Sequence, residues 1–418
     1  MAERQRGDMR TSGDGRPTVD ARQSGDGRPR GDMRRRMNPA LAAVPESGIR
    51  RFAALAAARE GCISLTLGEP DFATPEPVKA AAAQALDRNL THYPPNAGYP
   101  ELRQAIADFS RRRWGYDYSA QEVIVTAGAT EALYTALFSI LEPGDQVVVP
   151  VPAFGLYGSI IAMLRGETVK VDTSDTGFQL RPGDLERALT PRTKAVILNS
   201  PGNPSGRIYS RETLEELHRV LRDRDIFVIC DDVYGQLAFD PSYRSFAAFG
   251  DMRDRVIVVD SFSKPYAMTG WRMGWLMGDL PLIRAMEPAH QFNVVSVPSF
   301  LQPACVTALE QDPSAMRESY RQRGRYVWDR LRKMGLDVET PQGGFYLFPS
   351  IKAFGMDSET FCLRLIEEAG LALTPGSCFD GEGHVRISCC YSMETLREAM
   401  DRLERWIGKI PAAEIRIR

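Results

Sequence analysis

From about residue 120 to residue 260 the chain repeats one alternation: a short apolar run, a turn, then a longer helical pattern. The runs are Val123–Thr126, Val147–Pro150, Thr168–Val171, Ala195–Asn199, Phe227–Asp231 and Val256–Asp260. They are apolar throughout instead of alternating, which is how strands buried on both faces read. Between them Thr130–Leu141, Phe154–Arg165, Arg181–Leu189 and Arg211–Arg224 carry helical spacing. Such alternation builds βαβ units, so the expectation is an α/β three-layer sandwich with a mostly parallel central sheet and helices on both faces.

The end of the chain has another texture. Asp312–Met334, Ser358–Ala369 and Met393–Ile407 read as helices, and Leu336–Glu339, Gly344–Phe348 and His384–Cys389 as strands among them. That mixture predicts a smaller α+β domain. The 418 residues divide into a tail (1–36), an N-terminal segment of the small domain (37–82), a large domain (83–300) and a C-terminal small domain (301–418).

The tail stands apart. It repeats Arg-Gly-Asp-Met-Arg and Ser-Gly-Asp-Gly-Arg-Pro and holds ten Arg and six acids, net +4. Nearly devoid of large apolar residues, it is expected to be disordered, and its removal to leave activity intact. The net charge of −2 is then a cancellation, with −6 on the body, and near-neutrality argues against nucleic acid or a membrane surface as partner. No run reaches the ~18 apolar residues of a membrane span. Seven cysteines without a C-x-x-C pair suggest reduced thiols in a cytoplasmic enzyme. Four scattered histidines, none sharing a motif with another, give no expectation of a metal site.

Four segments carry chemistry, each at the end of an expected strand. Ser261-Phe262-Ser263-Lys264 follows Val256–Asp260 and runs on to Arg272. Ligands bind beyond the carboxyl ends of strands in an open parallel sheet, so Lys264 is either a solvated loop residue or a Schiff-base lysine near a phosphate. Asp231, in Cys230-Asp231-Asp232-Val233-Tyr234, either caps the next helix or pairs with a pyridinium nitrogen. Asn199-Ser200-Pro201-Gly202-Asn203-Pro204-Ser205-Gly206 requires a tight loop. Thr126-Ala127-Gly128-Ala129-Thr130 passes from strand to helix, either as an ordinary capped helix or as an anion site of free N–H groups and helix dipole.

In this order the four segments resemble the class I/II, fold type I, pyridoxal-phosphate-dependent aminotransferases. Further segments carry the likeness across residues 38–408: Gly68-Glu69-Pro70-Asp71-Phe72, Tyr93-Pro94-Pro95-Asn96, Pro341-Gln342-Gly343-Gly344-Phe345-Tyr346 and His384-Val385-Arg386-Ile387-Ser388. Met268–Arg272 and His290–Asn293 are similar to the branch of N-acetyl-diaminopimelate and aromatic aminotransferases.

The resemblance implies pyridoxal 5′-phosphate as cofactor, held by Lys264 as a Schiff base. It implies Asp231 on the ring nitrogen, Asn199 and Tyr234 on the phenolic oxygen, and Phe154 stacked on the ring. Gly128, Ala129, Thr130, Ser261, Ser263 and Arg272 would bind phosphate, with Tyr93 arriving from the second subunit of a homodimer. Gly68, Asn199 and Arg386 would meet the substrate, Arg386 through its α-carboxylate. Lys264, Asp231 and Tyr234 are the expected catalytic residues. The implied reaction is ping-pong amino transfer from an amino acid to a 2-oxo acid such as 2-oxoglutarate. The alternative on the same fold is a carbon–sulfur β-lyase. Some aspartate-type relatives carry Lys where this chain has Thr130, so strict aspartate preference is not expected.

Overall fold

The computed structural model describes residues 36–410. The disorder expected for residues 1–36 lies outside the described residues except at Arg36.

The chain enters through α1 (Gly48–Ala57) and β1 (Ile63–Ser64), followed by α2 (Glu76–Asp87) and α3 (Pro100–Trp114). Helix α3 stops at Gly115, whose φ of 77° closes the turn in the left-handed region where a side chain is disfavoured. The alternation then begins: β2 (Val123–Thr126), α4 (Gly128–Ile140), β3 (Gln146–Val151), α5 (Leu156–Met163), β4 (Glu167–Asp172), α6 (Pro182–Ala188), β5 (Thr193–Asn199), α7 (Arg211–Leu221), β6 (Phe227–Asp231), β7 (Val256–Ser261) and β8 (Gly274–Met277). The strands form one seven-stranded sheet in the order β2-β8-β7-β6-β5-β3-β4.

Strand β8, which the sequence pattern did not predict, runs antiparallel to both its neighbours, β2 and β7; every other pairing is parallel. At four residues with no alternation it resembles a loop. Strand β4 is an edge and is mostly solvent-facing, unlike the doubly buried strand expected there. Among the described residues no strand covers its open side.

Helices α8 (Leu280–Val294) and α9 (Gln302–Leu309) lead to the long α10 (Ser314–Lys333). The small domain continues with β9 (Tyr346–Leu347), α11 (Ser358–Ala369), β10 (Leu371–Ala372), β11 (Thr374–Pro375), β12 (Val385–Ser388) and α12 (Met393–Ile407). Strands β11, β12 and β9 form an antiparallel sheet, and β1 pairs with β10 in parallel. Residues Leu336–Glu339, expected as a strand, form no ladder; Leu336 and Val338 are instead buried in the small-domain core as irregular backbone.

Apolar packing divides the chain differently from the expected boundaries at 82/83 and 300/301. Phe52, Ala56 and Leu65 join the small-domain core with Phe361, Leu396 and Trp406. Val78 and Ala82 of α2, and Ala304, Cys305 and Ala308 of α9, belong to the core beneath the seven-stranded sheet. The first boundary therefore cuts through α2, and α9 goes with the larger unit. Their apolar faces meet one another, so neither helix can leave for the small domain without exposing both.

Candidate active site

The parallel register sets the edge on which the nominated residues stand. Asn199 pairs with Asp231, and Asp231 with Val259; Ser261 and Thr126 both pair with Gly274. The carboxyl ends of β2, β5, β6 and β7 thus lie side by side, and the loops beyond them surround a cavity of about 460 Å³. Ala129, Thr130, Phe154, Asn199, Asp231, Tyr234, Ser261, Ser263, Lys264 and Arg272 line it. Gly68 and Arg386 close it from the side of the small domain.

Asp231 is buried at the end of β6. Its carboxylate accepts the Tyr157 hydroxyl at 2.6 Å and the Val233 N–H at 3.4 Å. Burial raises its carboxyl to about 6, although Tyr157, the Val233 N–H and Lys264 pull the other way. Asp232, one residue on, is absent from the cavity wall and takes the Tyr116 hydroxyl at 3.2 Å. The alternation of a strand thus separates two adjacent carboxylates and leaves Asp231 for the cavity.

Lys264 donates to the Gly68 carbonyl at 2.7 Å. Burial, with Arg386 and Arg272 nearby, brings its ammonium down to about 8 against the opposing pull of Cys390 and Glu69. A lysine in that range has a neutral, nucleophilic fraction near physiological pH.

Helix α4 begins at Gly128, immediately beyond β2. Its first N–H groups have no intrahelical acceptor. The Ala127 N–H is taken by Glu131 at 3.0 Å, while Ala129 and Thr130 face the cavity. Arg272, itself at φ 54°, bonds the Thr269 carbonyl at 2.9 Å and lies against this turn. A Cβ on Gly128 would stand 2.7 Å from the Arg272 guanidinium, and Gly128 has φ 78°. Gly128 is off the cavity wall, and its part is this close approach. The Ser261 hydroxyl accepts the Ser263 N–H at 3.0 Å, which holds the third side of the cup.

Arg386 on β12 is 1% exposed. Its Nη1 donates to the Asn203 side-chain oxygen at 2.9 Å, and its Nη2 to the Thr66 carbonyl. Tyr346 and Phe379 flank it with ring centres 4.5 and 4.7 Å from Cζ. Its Nε has no partner, and no carboxylate pairs with it among the described residues.

Tyr93 does not join the cavity; it is 88% exposed. Three contributors were not singled out from sequence. Tyr157 supports Asp231, Asn203 supports Arg386, and the Tyr346 hydroxyl bonds that of Tyr234 at 3.0 Å. Asn203 and Tyr346 lie inside segments already notable, but nothing local marks Tyr157, three residues beyond Phe154 on an apolar helix.

The sequence matches the family of class I and II aminotransferases over residues 60–403. It is 45% identical over 383 residues to a probable N-acetyl-LL-diaminopimelate aminotransferase of Bacillus subtilis, spanning 90% of this chain and 97% of that one. It is 39% identical to an aspartate aminotransferase of Pyrococcus abyssi, spanning 88% of this chain and 97% of that one. Among solved structures, the aspartate aminotransferase of Thermus thermophilus with maleate superposes with a TM-score of 0.84 at 36% identity, covering 88% of this chain and 99% of its own. The chain belongs to the class I and II aminotransferase family and is a pyridoxal-phosphate-dependent aminotransferase.

Proposed function

We propose that this aminotransferase passes an amino group from an amino acid to 2-oxoglutarate in two half-reactions at the one cavity. The observation that carries the reading is Arg386: a buried guanidinium with a free Nε and no carboxylate partner is stable only where an anion completes it. The α-carboxylate shared by amino acids and 2-oxo acids supplies that anion, and the planar fork of Arg suits it.

The cavity also fits the cofactor. Free N–H groups at the start of α4, the Arg272 guanidinium and the hydroxyls of Thr130, Ser261 and Ser263 make a cup for a phosphate dianion. Asp231 stands where a protonated ring nitrogen can meet it, and Phe154 offers a ring to stack on. Asn199 and Tyr234 remain for the phenolic oxygen. When bound, pyridoxal 5′-phosphate supplies an aldehyde carbon for the amino group and an electron-withdrawing ring. Asp231 keeps that ring protonated. Lys264 Nζ, drawn from the Gly68 carbonyl, is the group that would carry the proton between the substrate α-carbon and the cofactor's aldehyde carbon.

The reading includes a homodimer. Phe292 is 85% exposed, Phe138 51% and Val295 49%, a cluster larger than isolated surface residues need. Asn96 donates to the Val295 carbonyl at 2.6 Å, tying the loop of Tyr93 to that face. A second copy there would receive Tyr93 at its phosphate cup. The seven unpaired cysteines support a cytoplasmic setting.

The test is a half-reaction screen. Each amino acid is mixed with cofactor-loaded protein and the loss of the visible cofactor band is followed, then its return on adding 2-oxoglutarate. Release of pyruvate and ammonia with no oxo acid present would place the protein among the β-lyases instead.

A further inference from the structure

His290, in the second half of α8, has no exposed surface. Its Nδ1 stands 3.1 Å from Glu131 Oε1 and its Nε2 stands 2.8 Å from the Asn96 carbonyl oxygen. A carbonyl can only accept. Glu131 accepts twice more, from the Ala127 N–H at 3.0 Å and from the Thr135 hydroxyl at 2.6 Å, the pattern of an ionised carboxylate. A neutral imidazole carries one N–H and can donate to one of these partners, not to both. The geometry therefore calls for a doubly protonated ring, a cation buried against a carboxylate. The surrounding charges agree. Burial pushes the ring down, but Glu131, the Asn96 carbonyl and Glu287 outweigh it, and the ring titrates above its ordinary 6.5. Glu287 is shared with Arg103 of α3, and Glu122, in the turn before β2, is taken by Arg253.

Each end of this bridge reaches a part of the site. By holding the Ala127 N–H, Glu131 fixes the turn from β2 into α4, whose free N–H groups open the phosphate cup. Arg272 Nη2 lies 3.5 Å from the carbonyl of the same Ala127. Asn96 belongs to the loop of Tyr93 and also donates to the Val295 carbonyl at 2.6 Å. We propose that His290 is a positioning residue which, as an imidazolium, ties the loop of Tyr93 to the phosphate cup and releases one of its two anchors when it gives up a proton. The proposal rests on the reading of that turn as the cofactor's phosphate site.

The experiment has two readouts on the cofactor-free, full-length protein. Ring signals of 15N-histidine-labelled protein, assigned with His290→Gln and Glu131→Gln, report the protonation of His290 against pH. Binding of pyridoxamine 5′-phosphate, which has no aldehyde for Lys264 to capture, reports the cup over the same range. Both ring nitrogens of His290 should be protonated at pH 7, and Glu131→Gln should lower the titration midpoint by about one pH unit or more. The wild-type dissociation constant should rise about tenfold as pH passes upward through that midpoint. In His290→Gln it should start about tenfold higher and lack that rise, and in Glu131→Gln the rise should move down with the midpoint. Should His290→Gln fail to fold, Glu131→Gln carries the comparison, and in wild type alone the two midpoints must coincide. A neutral His290 ring at pH 7 overturns the proposal. So does a doubly protonated ring whose loss leaves the affinity profile unchanged, while binding itself keeps the phosphate cup intact. A wild-type protein that binds neither pyridoxamine 5′-phosphate nor pyridoxal 5′-phosphate overturns both.

Discussion

Replacing Lys264 by Met should make the cofactor-free protein more stable, not less. The Lys264 ammonium is largely withdrawn from solvent, feels the charges of Arg386 and Arg272, and has the Gly68 carbonyl as its hydrogen-bond acceptor. Its fall from the ordinary 10.5 to about 8 measures how strongly the fold opposes that charge. At ~1.4 kcal/mol per pH unit the gap corresponds to about 3 kcal/mol. Losing the hydrogen bond to Gly68 offsets about 1–2 kcal/mol, which leaves a net gain of about 1–2 kcal/mol near pH 7. The sign with pH comes from linkage. The opposition is fully present below about 8, where the lysine is charged in both folded and unfolded chains. It vanishes as pH rises from about 8 to the ordinary 10.5, because the folded chain releases its proton first. Denaturant unfolding of cofactor-free wild type and Lys264→Met, at equal protein concentration, should therefore show an advantage for the variant that shrinks with rising pH. A variant less stable than wild type near pH 7, or an advantage independent of pH, would falsify the claim that the fold strains against this charge.

Other perturbations act through single contacts. Tyr157→Phe removes one of the bonds that hold the Asp231 carboxyl at about 6, so burial should raise it further. Because only the ionised carboxylate holds a protonated ring nitrogen, cofactor affinity should then begin to fail at a higher pH on acidification, as a titration of the cofactor band would record. Gly128→Ala places a Cβ 2.7 Å from the Arg272 guanidinium at φ 78°. Far-UV circular dichroism should be unchanged while the dissociation constant for pyridoxal phosphate rises at least about tenfold. Arg386→Lys keeps the charge but gives up the fork between Asn203 and Thr66, and kcat/KM should fall about 100-fold with the cofactor band retained.

The sheet was legible because β5, β6 and β7 are continuous apolar runs flanked by turn residues, and burial on both faces leaves no other way to write them. Strand β8 was not, since four residues fixed by two neighbouring strands need no pattern of their own. The same contrast holds in the site. Lys264, Asp231 and Arg386 stand in segments whose order along the chain is informative. Tyr157 acquires its role only when α5 crosses the end of β6, 74 residues later in the chain. The grouping of apolar faces was hidden for a related reason: α2 and α9 are far apart in sequence, yet each is the other's apolar partner. Periodicity reports that a face is buried, not which face meets it.

The bond from Arg386 to the Thr66 carbonyl joins residues 320 apart. The cup of α4, Asp231 and Lys264 needs β8, which joins β2 to β7 and ends at Met277, but the proposed clamp for substrate waits for β12, more than a hundred residues later. Along the chain the residues of the cofactor cup are therefore all made before the residue proposed to hold an amino acid. A chain ended before β12 would lack Arg386 and, with it, the group proposed to hold the substrate α-carboxylate.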